Sequence, residues 1–176
     1  MSADAVMPVS VVLERRASKS QWLDYTWEAI GVLPRVPLAP GALMAEGEGF
    51  VQYHGGALDL ELFRGETEGY LYNLSQTPPV VYVVLRRNTD DAADPQGDLS
   101  SLEFTPFLVT VCPYEAMGYT ENEDEHVVES VPMSLEVMAW VQDFVAAHHV
   151  DEPFIKRKNK RHQDRDRPPL ARGNLS

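Results

Sequence analysis

The stretch Leu23-Asp24-Tyr25-Thr26-Trp27-Glu28-Ala29-Ile30-Gly31-Val32-Leu33-Pro34 sets the reading of the whole chain. Leu23, Tyr25, Trp27, Ala29, Gly31 and Leu33 hold alternate positions, with Asp24, Thr26 and Glu28 between them. That is the period of a strand with one face buried and the other wet. Pro34 cannot donate to a ladder and ends the strand. Upstream, Val9, Val11 and Leu13 alternate in the same way and predict a first strand over Val9–Arg15. Downstream, Pro34, Pro37, Pro40, Gly41, Gly47 and Gly49 make 34–49 read as an irregular connection.

Two hairpins are expected next. In the first, Phe50-Val51-Gln52-Tyr53 turns through His54-Gly55-Gly56 into Leu58–Leu62, because paired glycines accept the positive φ of a tight turn. In the second, Gly65-Glu66-Thr67-Glu68-Gly69 leads into a strand at Tyr70–Leu74. The run Val80-Val81-Tyr82-Val83-Val84-Leu85 is apolar on both faces and suits a central strand. Residues 88–101 are acidic and turn-forming, which predicts a mobile loop, and Phe107–Cys112 is a further strand stopped by Pro113.

A single helix is predicted over about 134–149. Ser134 is placed to cap its first amides, Glu136 sits near the positive end of the dipole, and Leu135, Val137, Met138, Val141, Phe144 and Val145 form its apolar stripe. The fold class that follows is α+β: a mainly antiparallel β-sheet, or a small barrel-like sheet, with one C-terminal helix packed on it. Residues 1–154 are expected to form one globular domain and 155–176 a disordered basic tail.

Composition agrees with a folded domain, since 44% of the 176 residues are hydrophobic and 24% charged. No stretch approaches the roughly 20 apolar residues of a membrane span, and the N-terminal MSADAVMPVSVVLERR lacks the pattern of a signal peptide. With a single cysteine, Cys112, the chain has no internal disulfide, and a cytoplasmic location is expected.

The net charge of −12 conceals a division. Residues 154–176 hold eight basic and two acidic side chains, a net +6, against −18 for the remainder. No Lys or Arg occurs between Arg87 and Lys156, a region that contains Asp90, Asp91, Asp94, Asp98, Glu121, Glu123, Asp124, Glu125 and Glu129. Lys156, Arg157, Lys158, Lys160 and Arg161 are therefore the candidate partner-binding residues, although a solvated terminus is an equally common reading of a short basic run. Nucleic acid is not the expected partner: helix-turn-helix, zinc-finger and aromatic RNA-binding signatures are missing, and the acidic body opposes a duplex.

Catalytic and metal signatures are weighed in the same way. His148 and His149 are adjacent on the predicted helix, about 100° apart, and do not converge on one ion as an i, i+4 pair does. Cys112 alternates with Thr110 and Leu108 on an apolar strand, the placing of a buried small hydrophobe. Trp22, Trp27 and Trp140 read as core more readily than as a pocket lining. Glu14, Glu28 and Glu115 are carboxylates that nothing pairs. No nucleophile elbow, phosphate-cradling loop or dinucleotide fingerprint is present, so no catalytic residue and no metal ligand is assigned.

Several segments taken together resemble a known family: Val11-Val12-Leu13-Glu14-Arg15-Arg16, Trp27–Pro34, Val109-Thr110-Val111-Cys112-Pro113-Tyr114-Glu115-Ala116, Val131-Pro132-Met133, Ala139–Phe144 and Glu152–Lys158. The chain resembles the bacterial family DUF3305 over nearly its whole length. Members are sometimes labelled molybdopterin-guanine dinucleotide biosynthesis protein A, and their genes tend to lie near those of molybdenum- or tungsten-dependent formate dehydrogenases.

The guanylyltransferases of that label open on a strand followed by a glycine-rich loop whose amides hold phosphate. Here the first strand runs into Glu14-Arg15-Arg16-Ala17-Ser18-Lys19 without a glycine. The resemblance thus implies a non-enzymatic maturation or assembly factor for a formate dehydrogenase, acting by protein contacts and holding no intrinsic cofactor. A binding or biosynthesis protein for molybdopterin-guanine dinucleotide, as a handled ligand, is the first alternative. A nucleic-acid-associated regulator using the basic tail is the second.

Overall fold

Valine-rich alternation makes Ala5–Ala17 the long strand β1, and it pairs antiparallel on both sides, with β2 (Tyr25–Pro34) and with β4 (Phe50–Leu62). A short strand, β3 (Leu43–Gly47), extends the far edge of β4, so the N-terminal sheet has the order β2-β1-β4-β3. A second antiparallel sheet, β6-β5-β7, has β5 (Val80–Arg87) between β6 (Phe104–Thr110) and β7 (His126–Pro132). The central place of β5 is the one its two-sided apolar sequence requires, and Val81, Val83 and Val84 have no exposure. This computed structural model describes residues 2–19, 25–87 and 104–151.

One hydrophobic core takes Val9, Val11, Leu13, Leu60 and Leu62 from the first sheet and Val81, Val83, Val109, Val111 and Val131 from the second. The sheets meet where β4 lies against β6 and β2 against β7, but they are not closed into one barrel. At the β2–β7 seam a side chain replaces a ladder bond: the Ala29 amide donates to Glu129 Oε2 at 2.6 Å. Such cover on an edge N–H blunts the pairing tendency of an exposed strand.

Helix α3 (Leu135–His148) begins as the sequence predicts, with the Ser134 hydroxyl accepting from the Val137 amide at 3.2 Å. Val137, Val141, Phe144 and Val145 are its buried face, and Met138 and Trp140 pack partly buried against the core. Leu135, expected in the stripe, is 81% exposed. It is the first residue of the helix, where the apolar face has not yet turned onto the core.

The antiparallel sheets and the C-terminal helix match the sequence reading, whereas several local expectations change. Residues 50–62 are one strand and not a hairpin: His54-Gly55-Gly56 is a bulge, with Val11 facing Gly56 and Val12 facing His54 across the ladder. Tyr70–Leu74 belongs to a helix, α1 (Thr67–Leu74), entered through a 3-10 turn at Arg64–Glu66. A second short helix, α2 (Pro113–Met117), and strand β7 are further additions. The 34–49 connection contains β3 and is tied to the sheet, with Gly41 N donating to His54 O at 2.7 Å and Val36 N to Ser10 Oγ at 3.1 Å. The acidic 88–101 loop and the basic tail from residue 155 lie outside the described residues.

Candidate functional site

Helix α1 owes its position to buried polar side chains. Thr67, Tyr70 and Asn73 follow one another at helical spacing, and all three are buried. The Asn73 side chain donates through Nδ2 to Val80 O at 2.7 Å and Val111 O at 2.8 Å, and accepts from Val80 N at 3.0 Å. Its amide thereby joins α1 to β5 and to the chain leaving β6.

Tyr70 accepts from the Phe63 amide at 2.9 Å and meets the Phe144 ring edge-on at 6.1 Å. Burial pushes its hydroxyl up to about 12, so it stays neutral at ordinary pH. Thr67 Oγ1 lies 2.9 Å from His149 Nδ1, which anchors the end of α3 to the start of α1.

Helix α2 starts immediately after β6 because Pro113 stops the strand and suits a first helical turn. Glu115 Oε2 accepts from Thr110 Oγ1 at 3.0 Å, and that hydroxyl accepts from the Cys112 amide at 3.1 Å. Cys112 is 1% exposed and donates from Sγ to Glu66 Oε2 at 3.4 Å. Burial pushes its thiol above the ordinary value, with Glu66 acting in the same direction, and Cys112 is a packed thiol of the core.

These anchors hold the two helices close together. A Cβ on Gly69 would come within 3.0 Å of Cys112 Sγ and 3.2 Å of the Tyr114 ring, so Tyr114 lies directly over α1. Tyr72 is three residues beyond Gly69, and Met117 three beyond Tyr114, so each continues the same surface along its helix. Tyr72, Tyr114 and Met117 are each more than half exposed, at 56%, 58% and 63%. The hydroxyl of Tyr82 is pushed up by burial, with Tyr72 adding in the same direction. Glu66, Glu68 and Glu115 are exposed around this aromatic patch.

A rigid aromatic and methionine patch with a charged rim has the composition of a protein contact surface. The sequence reading passed over it. Its signals were Pro113 two residues before Glu115, a helix start, and the Thr67, Tyr70, Asn73 spacing, which is helical although two of the three side chains are polar.

The five basic residues chosen from sequence, Lys156, Arg157, Lys158, Lys160 and Arg161, lie outside the described residues. His148 and His149 diverge: His148 packs at a tilt against Phe144 with centroids 4.6 Å apart, while His149 bonds Thr67 and, through Nε2, Asp151 at 2.9 Å. Trp27 packs partly buried against the core beside Tyr53, and Trp22 is outside the described residues. Glu14 is buried, and hydrogen bonds from Gln52 and Arg16 hold its carboxyl below the usual range against the opposing pull of burial. Among the described residues no three His, Cys, Asp or Glu side chains gather as a metal site requires, and no helix is long and apolar enough to cross a membrane.

The family model described as a protein of unknown function (DUF3305) matches residues 8–158. The chain belongs to this family. Neither the curated proteins nor the solved structures contain a match to it.

Proposed function

We propose that this DUF3305 protein is a non-enzymatic accessory factor in the maturation or assembly of a molybdenum- or tungsten-dependent formate dehydrogenase, working in the cytoplasm through contacts with a dehydrogenase subunit. The observation that carries the reading is the exposed Tyr72, Tyr114 and Met117 surface on α1 and α2. Aromatic and methionine side chains supply large contact area, and the helices beneath them are fixed by Asn73 and Tyr70, so little ordering accompanies docking. The acidic rim fits a partner surface with basic residues around an apolar centre. The tail, at +6, fits an acidic region of the same partner and acts on the rate of encounter.

The test is a pull-down from the native host with wild type, with a Tyr114→Ser/Met117→Asp double variant, and with Lys156, Arg157, Lys158, Lys160 and Arg161 replaced by Ala. Recovery of a formate dehydrogenase subunit by wild type is expected. The double variant should weaken that complex at least about tenfold, the loss of a hot-spot contact. The five-site variant should slow association in a manner that rising salt masks. Recovery of DNA or RNA that the five-site variant loses would replace this reading with the regulator. Isolation of the protein with molybdopterin-guanine dinucleotide and no subunit would favour the cofactor-handling alternative.

A further inference from the structure

The described chain ends at Asp151, and the place where it leaves the body is fixed. His149 Nδ1 lies 2.9 Å from Thr67 Oγ1, and His149 Nε2 lies 2.9 Å from Asp151 Oδ1, so the exit is beside the first residue of α1. The neighbours of Thr67 in sequence are Glu66 and Glu68, both exposed, and with Glu115 they surround the apolar surface of Tyr72, Tyr114 and Met117. The family match does not stop at the exit but continues to residue 158.

The sequence that follows the exit is the counterpart of that surface. Pro153-Phe154-Ile155-Lys156-Arg157-Lys158 places an apolar pair before three cations, against an apolar centre ringed by three carboxylates. Reach is no obstacle. An extended chain covers about 3.4 Å per residue, so Phe154 can stand up to ~17 Å from His149. Tyr72, five residues along α1 from Thr67, is only about 7.5 Å away along the helix axis. A segment tethered at the rim by so short a linker has a local concentration on the order of mM there, so contacts that are weak between separate molecules are populated within one.

We propose that residues 153–158 fold back over this surface in the free protein as an internal cover that a partner displaces, an inference that rests on reading the surface as a docking face and adds its regulation. Phe154 and Ile155 lie on Tyr72, Tyr114 and Met117, and Lys156, Arg157 and Lys158 lie toward Glu66, Glu68 and Glu115. The cover shields exposed aromatic and methionine side chains while no partner is bound. It lowers the apparent affinity of a partner in proportion to the fraction of molecules whose surface is open. Displacement then frees the cations for an acidic region of the partner, so covering and steering are successive states of one segment.

The test uses the full-length protein with no partner present. An Asn159→Cys variant carries a nitroxide on the new thiol, Cys112 being 1% exposed and closed to the reagent. Amide NMR signals of Glu68–Tyr72 and Tyr114–Met117 should broaden more than those of β3, at the far edge of the first sheet. Adding Phe154→Ser/Ile155→Ser should abolish the difference. Adding Glu68→Lys instead, which spares the hydrogen bonds made by Glu66 and Glu115, should reduce it. The proposal is overturned if α1 and α2 broaden no more than β3, or if the broadening survives undiminished in either variant. Because the contact is read in the free protein, a dehydrogenase subunit that fails to bind would remove the proposed partner and leave the cover standing, whereas uniform broadening would remove the cover alone.

Discussion

Asn73 has no solvent exposure, and its amide satisfies three backbone groups from two other segments. Replacing it with Ala leaves the Val80 amide and two carbonyls without their partner, a loss of about 2–4 kcal/mol that thermal unfolding would register as a large fall in Tm. Asn73→Asp keeps one acceptor, removes both donors and adds a buried charge, so it should cost at least as much. Glu129 is a different case. Burial, with Glu28 adding to it, pushes its carboxyl above the ordinary range despite the Ala29 amide pulling the other way. The folded chain therefore holds this proton more tightly than the unfolded chain. The group's contribution favours folding at pH below the ordinary carboxylate range and is lost as pH rises through its folded value. Glu129→Gln keeps an oxygen for the Ala29 amide and removes the charge. Its Tm should exceed that of wild type near pH 7, with the difference narrowing at about pH 4; an equal difference at both pH values would show that ionisation is not the cause.

At the scale of elements, β4 depends on its two bulge glycines for different reasons. A Cβ on Gly55 would meet the Leu13 side chain at 2.7 Å and the Val11 carbonyl at 3.2 Å, whereas Gly56 has open space but a φ of +128°. Gly55→Ala should cost about 1–3 kcal/mol through overpacking, and Gly56→Ala about 1 kcal/mol or more through backbone strain. Both are measured as lower denaturant midpoints at unchanged slope. The same pair explains a misreading, because two glycines between apolar runs signal a turn or a bulge equally well. What decides between them is whether the two halves pair with each other or with a third strand, and the partner, β1, is some forty residues away in sequence. Strands β1, β2, β5 and β6 and the cap of α3 were legible because alternation, a two-sided apolar run and Ser134 are local signals. Helix α1 was not, since Thr67 and Asn73 occupy its buried face and broke the apolar periodicity. Strand β7 was obscured likewise by Glu129, which lies between Val127 and Val131 on the inward side. The exposed Tyr72, Tyr114 and Met117 surface depends on both helices and so shared their invisibility.

The molecule as a whole is divided by charge, −18 outside residues 154–176 and +6 within them. The segment 156–176 offers few apolar groups to bury, and the family match ends at 158. Truncation after Ile155 should therefore move the Tm by little, on the order of the fractions of a kcal/mol that surface changes produce. A fall of many degrees would show that the tail packs onto the body. A last consequence comes from the order of the strands along the chain. All four strands of the first sheet are complete by Leu62, while the second sheet begins only at Val80. On a ribosome, β1 can find both of its neighbours before the second sheet has emerged. For that interval Val9, Val11, Leu13, Leu60 and Leu62 face no covering layer, and the nascent chain must wait for residues 80–145 to be synthesised before its core is sealed. The vulnerable moment in the life of this protein is therefore its own translation, and a slow stretch of synthesis between the two sheets should lower the yield of folded chain more than the same pause placed after α3.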